Sequence, residues 1–130
     1  MNPVYLSKLL TLQSQWLTSR QGVTASNVAN ANTPAYQAHD IQPFEDVLRS
    51  TSEALTRSSP LHQGDANPDT FQLQPEMGWE TAHSGNSVSL EQQLLRAGET
   101  SRAYRFNINL DKAFGRLMDL AIKGSSAKGG

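Results

Sequence analysis

Apolar residues recur at helical spacing over the first thirty positions of the chain. From about Tyr5 to Ala31 they are separated by three, four and seven residues, which places them on one face of an α-helix. The members of this face are Leu6, Leu9, Leu10, Trp16, Leu17, Val23 and Val28. The pattern predicts a long amphipathic helix in an N-terminal segment comprising residues 1–32.

A second long helical pattern occupies the C-terminal part. Ser89 followed by Gln92 fits a capping box, which satisfies free amides at a helix start. Gly124 begins a tail of Ser, Gly, Lys and Ala in which a helix should fray. These signals predict a C-terminal helix over residues 87–123 and a flexible tail over residues 124–130.

The C-terminal helix carries apolar residues on two sides. One stripe comprises Leu94, Ala97, Ser101, Tyr104, Ile108, Met118 and Ile122, and the other Phe106, Leu110, Ala113, Leu117 and Leu120. A helix that is apolar on two sides has more surface to bury than one partner helix can cover. The sequence therefore predicts contacts with other protein chains.

The middle of the chain is less regular. Residues 33–49 contain apolar positions at helical spacing, and Pro43 can occupy the first turn of a helix. This predicts a junction followed by a short helix. Residues 50–86 lose this periodicity and contain repeated Pro and Gly, which predicts an extended loop. Within it, Phe71 to Leu73 and Met77 to Trp79 are predicted to pair as a small β-hairpin. The expected fold is all-α and single-domain, with the two long helices packed as an antiparallel or coiled-coil-like pair.

The junction between the first helix and the middle is the most informative stretch. Residues Ser26 to Tyr36 read Ser-Asn-Val-Ala-Asn-Ala-Asn-Thr-Pro-Ala-Tyr. Asn27 and Asn30 share a helix face, whereas Asn32 lies just before Thr33-Pro34, where proline disfavours helical backbone in the preceding residue. The stretch predicts that the helix ends near residue 31 and that side-chain amides hold a chain reversal.

Composition and charge narrow the function classes. The chain has 130 residues, 37% hydrophobic content and a formal net charge of −1, which gives no electrostatic footprint for nucleic acid or an acidic membrane. It has no cysteine, so thiolate metal sites, thiol catalysis and disulfides are excluded. The N-terminus lacks a signal-peptide pattern and no run is long enough to span a membrane, which by itself predicts a cytoplasmic protein.

No catalytic, metal or cofactor site is indicated. The histidines, His39, His62 and His83, are far apart and lack metal-ligand spacing. Glu45 and Asp46 are adjacent, so on a helix they point in different directions, and they are interpreted as a solvated face. Nucleotide-binding and nucleophile-elbow motifs do not occur.

The junction resembles the signature of the bacterial flagellar rod and hook family. Its residues Ser26, Asn27, Ala29, Asn30, Thr33, Pro34 and Tyr36 are similar to the pattern Ser-Asn-x-Ala-Asn-x-x-Thr-Pro-Gly-Tyr, with Asn32 just before Thr33. Ala35 stands where the family usually has glycine, the residue that readily adopts positive φ. Ser84 to Glu91 resembles a second family landmark, at the start of the C-terminal helix. The chain has room between its long helices for a loop only, as in the proximal rod subunits.

The resemblance implies a structural role. Family members pack their terminal helices as a pair inside a tubular rod and are exported through the flagellar type III channel without a cleaved signal, which replaces the cytoplasmic expectation with a basal-body rod in the periplasmic space. The expected partners are other rod proteins, further copies of the chain, the FliE adaptor and the FliF membrane ring. The expected contacts within the helix pair and assembly join Leu94, Tyr104, Ile108, Phe114 and Met118 to Leu6, Leu10, Leu17 and Val28.

Two alternatives remain open on the sequence alone. One is a helical-hairpin adaptor or chaperone of a type III secretion apparatus, which would stay in the cytoplasm as a closed oligomer. The other is a peptidoglycan-cleaving enzyme associated with rod growth, which would depend on Glu45 or Asp46.

Overall fold

Two long helices dominate the computed structural model, which describes residues 3–57, 71–76, 88–127 and 129. The elements within these segments are α1 (Pro3–Ala29), β1 (His39–Ile41), α2 (Phe44–Arg57), β2 (Leu73–Pro75) and α3 (Leu90–Ser126). Among the described residues, no helix is both long and apolar enough to cross a membrane.

Helices α1 and α3 pack side by side in antiparallel orientation. Asn107 donates to the carbonyl oxygen of Leu10, and Asn27 donates to the side chain of Gln93. Residues later in α1 therefore contact residues earlier in α3. The predicted fold class is therefore confirmed. Ser89 caps α3 as expected, because its hydroxyl accepts from the backbone N–H of Gln92 at 3.4 Å.

Helix α2 is longer than the sequence pattern indicated. The prediction ended the short helix at residue 49 and began the loop at residue 50, whereas α2 continues to Arg57. Its second half is polar, and hydroxyls there bond back to carbonyls of the preceding turn, as Thr51 does to Val47 at 2.8 Å. These local bonds satisfy the hydroxyls, while Phe44, Val47 and Leu48 give the first half of α2 an apolar face that holds the helix against the rest of the fold.

The strand pair joins distant parts of the chain. β1 and β2 are antiparallel, with His39 opposite Pro75 and Ile41 opposite Leu73. A small antiparallel strand pair was predicted, but with residues 71–73 facing Met77 to Trp79. The segment pairs instead with the stretch that follows the junction, and residues 77–79 lie outside the described part of the structure.

The buried apolar core is small and lies where α1, β1 and α2 meet. Its members are Leu10, Leu17, Ala38, Ile41 and Val47. Trp16 flanks this core, with its ring 5.7 Å from that of Phe44 and its indole N–H donating to the carbonyl of Gln42 at 2.8 Å. The aromatic pair fixes the start of α2 against the middle of α1.

Candidate functional site

The junction turns the chain through hydrogen bonds of Asn30. Its backbone N–H and its side-chain amide both donate to the carbonyl of Ser26, at 3.1 and 2.9 Å. Its own carbonyl and side-chain oxygens accept from the backbone and hydroxyl of Thr33, at 3.0 and 3.2 Å. A side chain therefore takes part in closing the last turn of α1, as the sequence predicted.

Asn27 connects the same helix end to β1 and α3. Its amide nitrogen donates to the carbonyl of His39 at 2.7 Å and to the side-chain oxygen of Gln93 at 3.1 Å. Its oxygen accepts from the backbone N–H of His39 at 3.1 Å and from the hydroxyl of Tyr36 at 3.3 Å. The side chain is fully buried and uses its whole hydrogen-bonding capacity. Toward His39 it acts as a neighbouring strand would.

The rest of the signature is exposed, in the last turn of α1 and in the loop that follows it. Ser26, Ala29, Asn32, Thr33 and Pro34 are exposed, and among the described residues the side chain of Asn32 has no hydrogen-bond partner. Ala35 has a φ of 60°, the left-handed conformation that favours glycine. The backbone at Ala35 thus has the positive φ that glycine adopts most readily, although this chain has alanine there.

A network of charges lies beneath the junction. Arg20 contacts Asp40 through two parallel hydrogen bonds of 3.1 and 3.0 Å. Arg96 on α3 pairs with Asp40 at 3.5 Å and with Glu76, which follows β2. Glu76 in turn accepts from Gln93 at 2.6 Å, which links the ion pairs to Asn27.

Part of this charge network is buried, which raises the energetic cost of removing one of its members. The side chains of Arg96 and Glu76 are only 14% and 4% exposed. Removing one member of a buried ion pair leaves an uncompensated charge, which typically costs about 3–5 kcal/mol. The network therefore fastens the strand pair to both long helices.

Polar residues form the α3 side of the α1–α3 contact. The buried residues of α3 are Gln93, Thr100 and Asn107, each seven positions from the next. On α1, Leu10, Leu17 and Thr24 are buried at the same interval. Asn107 anchors the pairing by donating to the carbonyl of Leu10 at 2.9 Å and to the hydroxyl of Ser14 at 2.6 Å. We call the three α3 residues, Gln93, Thr100 and Asn107, the polar seam.

The structure locates the residues predicted for the helix pair in three groups. Leu10 and Leu17 are buried, whereas Leu6, Ile108, Phe114 and Met118 are half-buried. Val28, Leu94 and Tyr104 are 41%, 67% and 39% exposed, so placing them inside the pair is corrected. Leu94, Ser101 and Ile108 of the predicted stripe each lie one position, about 100°, from Gln93, Thr100 and Asn107, the residues that α3 buries against α1.

Sequence reasoning missed the polar seam and the charge network. The heptad interval of Gln93, Thr100 and Asn107 is visible in the sequence, but a pattern of apolar residues does not include it. The partners of Arg96 gave no local signal, because Asp40 and Glu76 come from separate segments.

The described residues contain no cluster suited to a metal ion. No three His, Cys, Asp or Glu side chains within them are grouped so as to hold a metal ion. His39 is half-buried and serves the junction through its backbone, with its ring 6.2 Å from that of Tyr36. His62 and His83 lie outside the described segments.

Comparison with known proteins agrees with the geometry. The family model described as "Flagella basal body rod protein" matches residues 17–37, which include the C-terminal half of α1 and the junction. The flagellar basal body rod protein FlgB of Agrobacterium fabrum is 38% identical over 95% of this chain and 96% of its own length. FlgB of Escherichia coli is 29% identical over 81% of this chain and 80% of its own length. FlgB of Salmonella typhimurium is 28% identical over 96% of this chain and 86% of its own length.

Proposed function

Because the chain belongs to the FlgB family of flagellar basal body rod proteins, we propose that it is a structural subunit of the proximal rod. In this role it helps to form the shaft that links the membrane ring to the distal rod and hook. The subunit acts by packing its terminal helices against neighbours, and no step requires catalysis or a cofactor.

One observation carries the mechanism: the outward face of α3 is apolar. Phe106, Leu117 and Leu120 are 69%, 64% and 66% exposed, and Leu110 lies beside them. This apolar stripe, as we call these four residues, points away from the polar seam, since positions 106, 110, 117 and 120 are rotated by roughly 110° from it. Contiguous exposed apolar surfaces of this kind mark protein–protein contacts.

The length of α3 supports assembly through this helix. Asn107 lies against Leu10, so one further heptad brings residue 114 level with Pro3. The remainder of α3, to Ser126, extends roughly three turns past Pro3. Such a projecting helix can pack against a subunit above or below, and a head-to-tail contact of this type builds open helical assemblies.

The finer assignments follow the family resemblance. FliE and FliF are the proposed contacts at the base of the rod, with other rod proteins and further copies along it. Export without a cleaved signal peptide would bring the subunit to the periplasmic space. A small apolar core suits that route, because the chain must be unfolded during passage.

The signature residues are proposed to orient the strand pair relative to the helix pair. Asn27 and Asn30 hold the turn, and the exposed residues of the turn face outward toward neighbours. Val28, Leu94 and Tyr104, which are exposed in the single chain, are proposed as assembly contacts.

The test is incorporation into basal bodies. Tagged wild-type chain should co-purify with the rod, whereas Phe106→Asp and Leu117→Asp should reduce incorporation and motility at least tenfold, because a carboxylate opposes burial of the apolar stripe. Leu117→Met keeps the surface apolar and is the matched control, which should support normal motility. A wild-type chain that stays in the cytoplasm, absent from basal bodies, would contradict the proposal and favour a secretion adaptor.

A further inference from the structure

A groove runs along one flank of the polar seam. It has a volume of about 450 Å³ and lies between α1, the start of α2 and α3. Its apolar lining includes Trp16, Leu17 and Phe44, and its rim carries Glu45 and Glu99. The groove is open, so the side chain of another molecule can enter it.

The groove carries uncompensated negative charge. Arg20 and Asp40 also line it, but they neutralise each other, and Arg96 does the same for Glu76. Glu45 and Glu99 are exposed and form no ion pair with any residue that the structure describes. Two carboxylates beside apolar walls favour a cationic side chain with a long aliphatic stem.

Thr100 adds an independent indication of a binding site. It lines the same groove, is only 3% exposed, and its hydroxyl has no hydrogen-bond partner among the described residues. A buried hydroxyl without a partner costs about 1–3 kcal/mol. A polar group entering the groove would satisfy it.

The same chain carries a basic stripe on another face of α3. Arg105, Lys112, Arg116 and Lys123 are spaced by seven, four and seven residues, so they line one face of the helix. All four are exposed and form no ion pair within the described segments. The basic stripe, the apolar stripe and the polar seam are each roughly 120° apart around α3.

We propose that the basic stripe of one copy docks in the acidic groove of the next copy. The stems of the basic side chains lie on Leu17 and Phe44, and their charged ends reach Glu45, Glu99 and the hydroxyl of Thr100. Because groove and stripe are different surfaces of the chain, the contact is heterologous and can continue from copy to copy. This inference rests on the proposed rod function and names the two surfaces of its self-contact.

Charge reversal in pairs tests the contact. The groove variant is Glu45→Lys with Glu99→Lys, and the stripe variant is Lys112→Glu with Arg116→Glu. Each alone should weaken self-association of the purified full-length chain at least tenfold in sedimentation velocity, since like charges then face each other. Mixing the two variants should restore association, because each basic groove then meets an acidic stripe. Glu53→Lys, exposed on α2 and about two turns from Glu45, is the control reversal that should have no effect.

The outcomes separate this inference from the rod function. The inference would be overturned if association is unchanged in both variants, if the mixture fails to recover, or if the wild-type chain stays monomeric. Presence of the chain in basal bodies would still leave the rod function standing. Absence from basal bodies, with charge-dependent association still seen in solution, would overturn the rod function instead. Raised salt should weaken wild-type association, because the rim carboxylates are exposed and screened.

Discussion

At the scale of single residues, Asn27 explains why the junction needs an asparagine at the end of α1. Its amide presents a donor and an acceptor to the backbone of His39, as an adjacent strand would. It also reaches Gln93 on α3, so one side chain couples three elements. Aspartate would lack the donors, and alanine would leave buried groups without partners.

Replacing Asn27 with alanine should therefore destabilise the chain substantially. The backbone N–H and carbonyl of His39 would lose their partner, and the loss should be about 3 kcal/mol, since each unsatisfied buried group costs roughly 1–3 kcal/mol. Urea unfolding followed by circular dichroism measures it. The control is Asn32→Ala, which is exposed and should stay within about 0.5 kcal/mol of wild type. Equal stability of the two variants would refute the coupling role of Asn27.

Ala35 provides a second test, because its backbone conformation is unfavourable for its side chain. A φ of 60° costs an L-residue with a Cβ about 1–2 kcal/mol, part of which glycine regains. Ala35→Gly should therefore raise the free energy of unfolding by about 0.5–1 kcal/mol. Ala25→Gly, at an exposed position within α1, should lower it by about 1 kcal/mol. Destabilisation in both variants would show that the positive φ is not retained in solution.

At the scale of elements, α3 turns polar residues toward α1 and leaves large apolar residues exposed on its other sides. Asn107 holds α3 against the backbone of Leu10, and Gln93 accepts from the side chain of Asn27 near the other end of α1. Buried polar contacts of this kind fix register, since a shifted pairing would leave them unsatisfied. The arrangement also leaves the apolar residues of α3 free for neighbouring chains.

The sequence was sufficient to predict both long helices and the inward leucines of α1, but not the side that α3 turns toward α1. Apolar spacing identified α1 and α3, Ser89 marked the start of α3, and Asn27 and Asn30 were recognised as junction residues. The rotation of α3 was wrong because its inward face is occupied by Gln93, Thr100 and Asn107, which an apolar pattern does not reveal.

Long-range partners were equally inaccessible from the sequence. β2 pairs with β1 across more than thirty residues, and no local rule relates Leu73 to Ile41. The charge network depends on the same pairing, because Glu76 reaches Arg96 only when β2 lies beside β1. Such contacts follow from the assembled fold and not from spacing along the chain.

At the scale of the whole molecule, burial is divided between the single chain and its assembly. Few apolar side chains are buried within the described fold, while many large ones remain exposed along α3. Packing into an assembly would bury the latter, and any partner that binds only the folded form stabilises it by mass action. We therefore expect the chain to be weakly stable when free and more stable once incorporated.

Matched leucine truncations distinguish the two kinds of burial. Leu17 is 3% exposed and Leu117 is 64% exposed. Leu17→Ala should destabilise the free chain by about 2–5 kcal/mol through the cavity it creates, enough to unfold a weakly stable domain. Leu117→Ala should change the free energy of unfolding of the free chain by less than about 0.5 kcal/mol, because its side chain is already in water.

Assembly should depend on Leu117 even though folding does not. Its truncation should lower incorporation into rods although the free chain folds normally. Urea unfolding and rod content measured on the same variants decide the matter, and a Leu117→Ala chain that assembles as well as wild type would place the intersubunit contact elsewhere on the molecule.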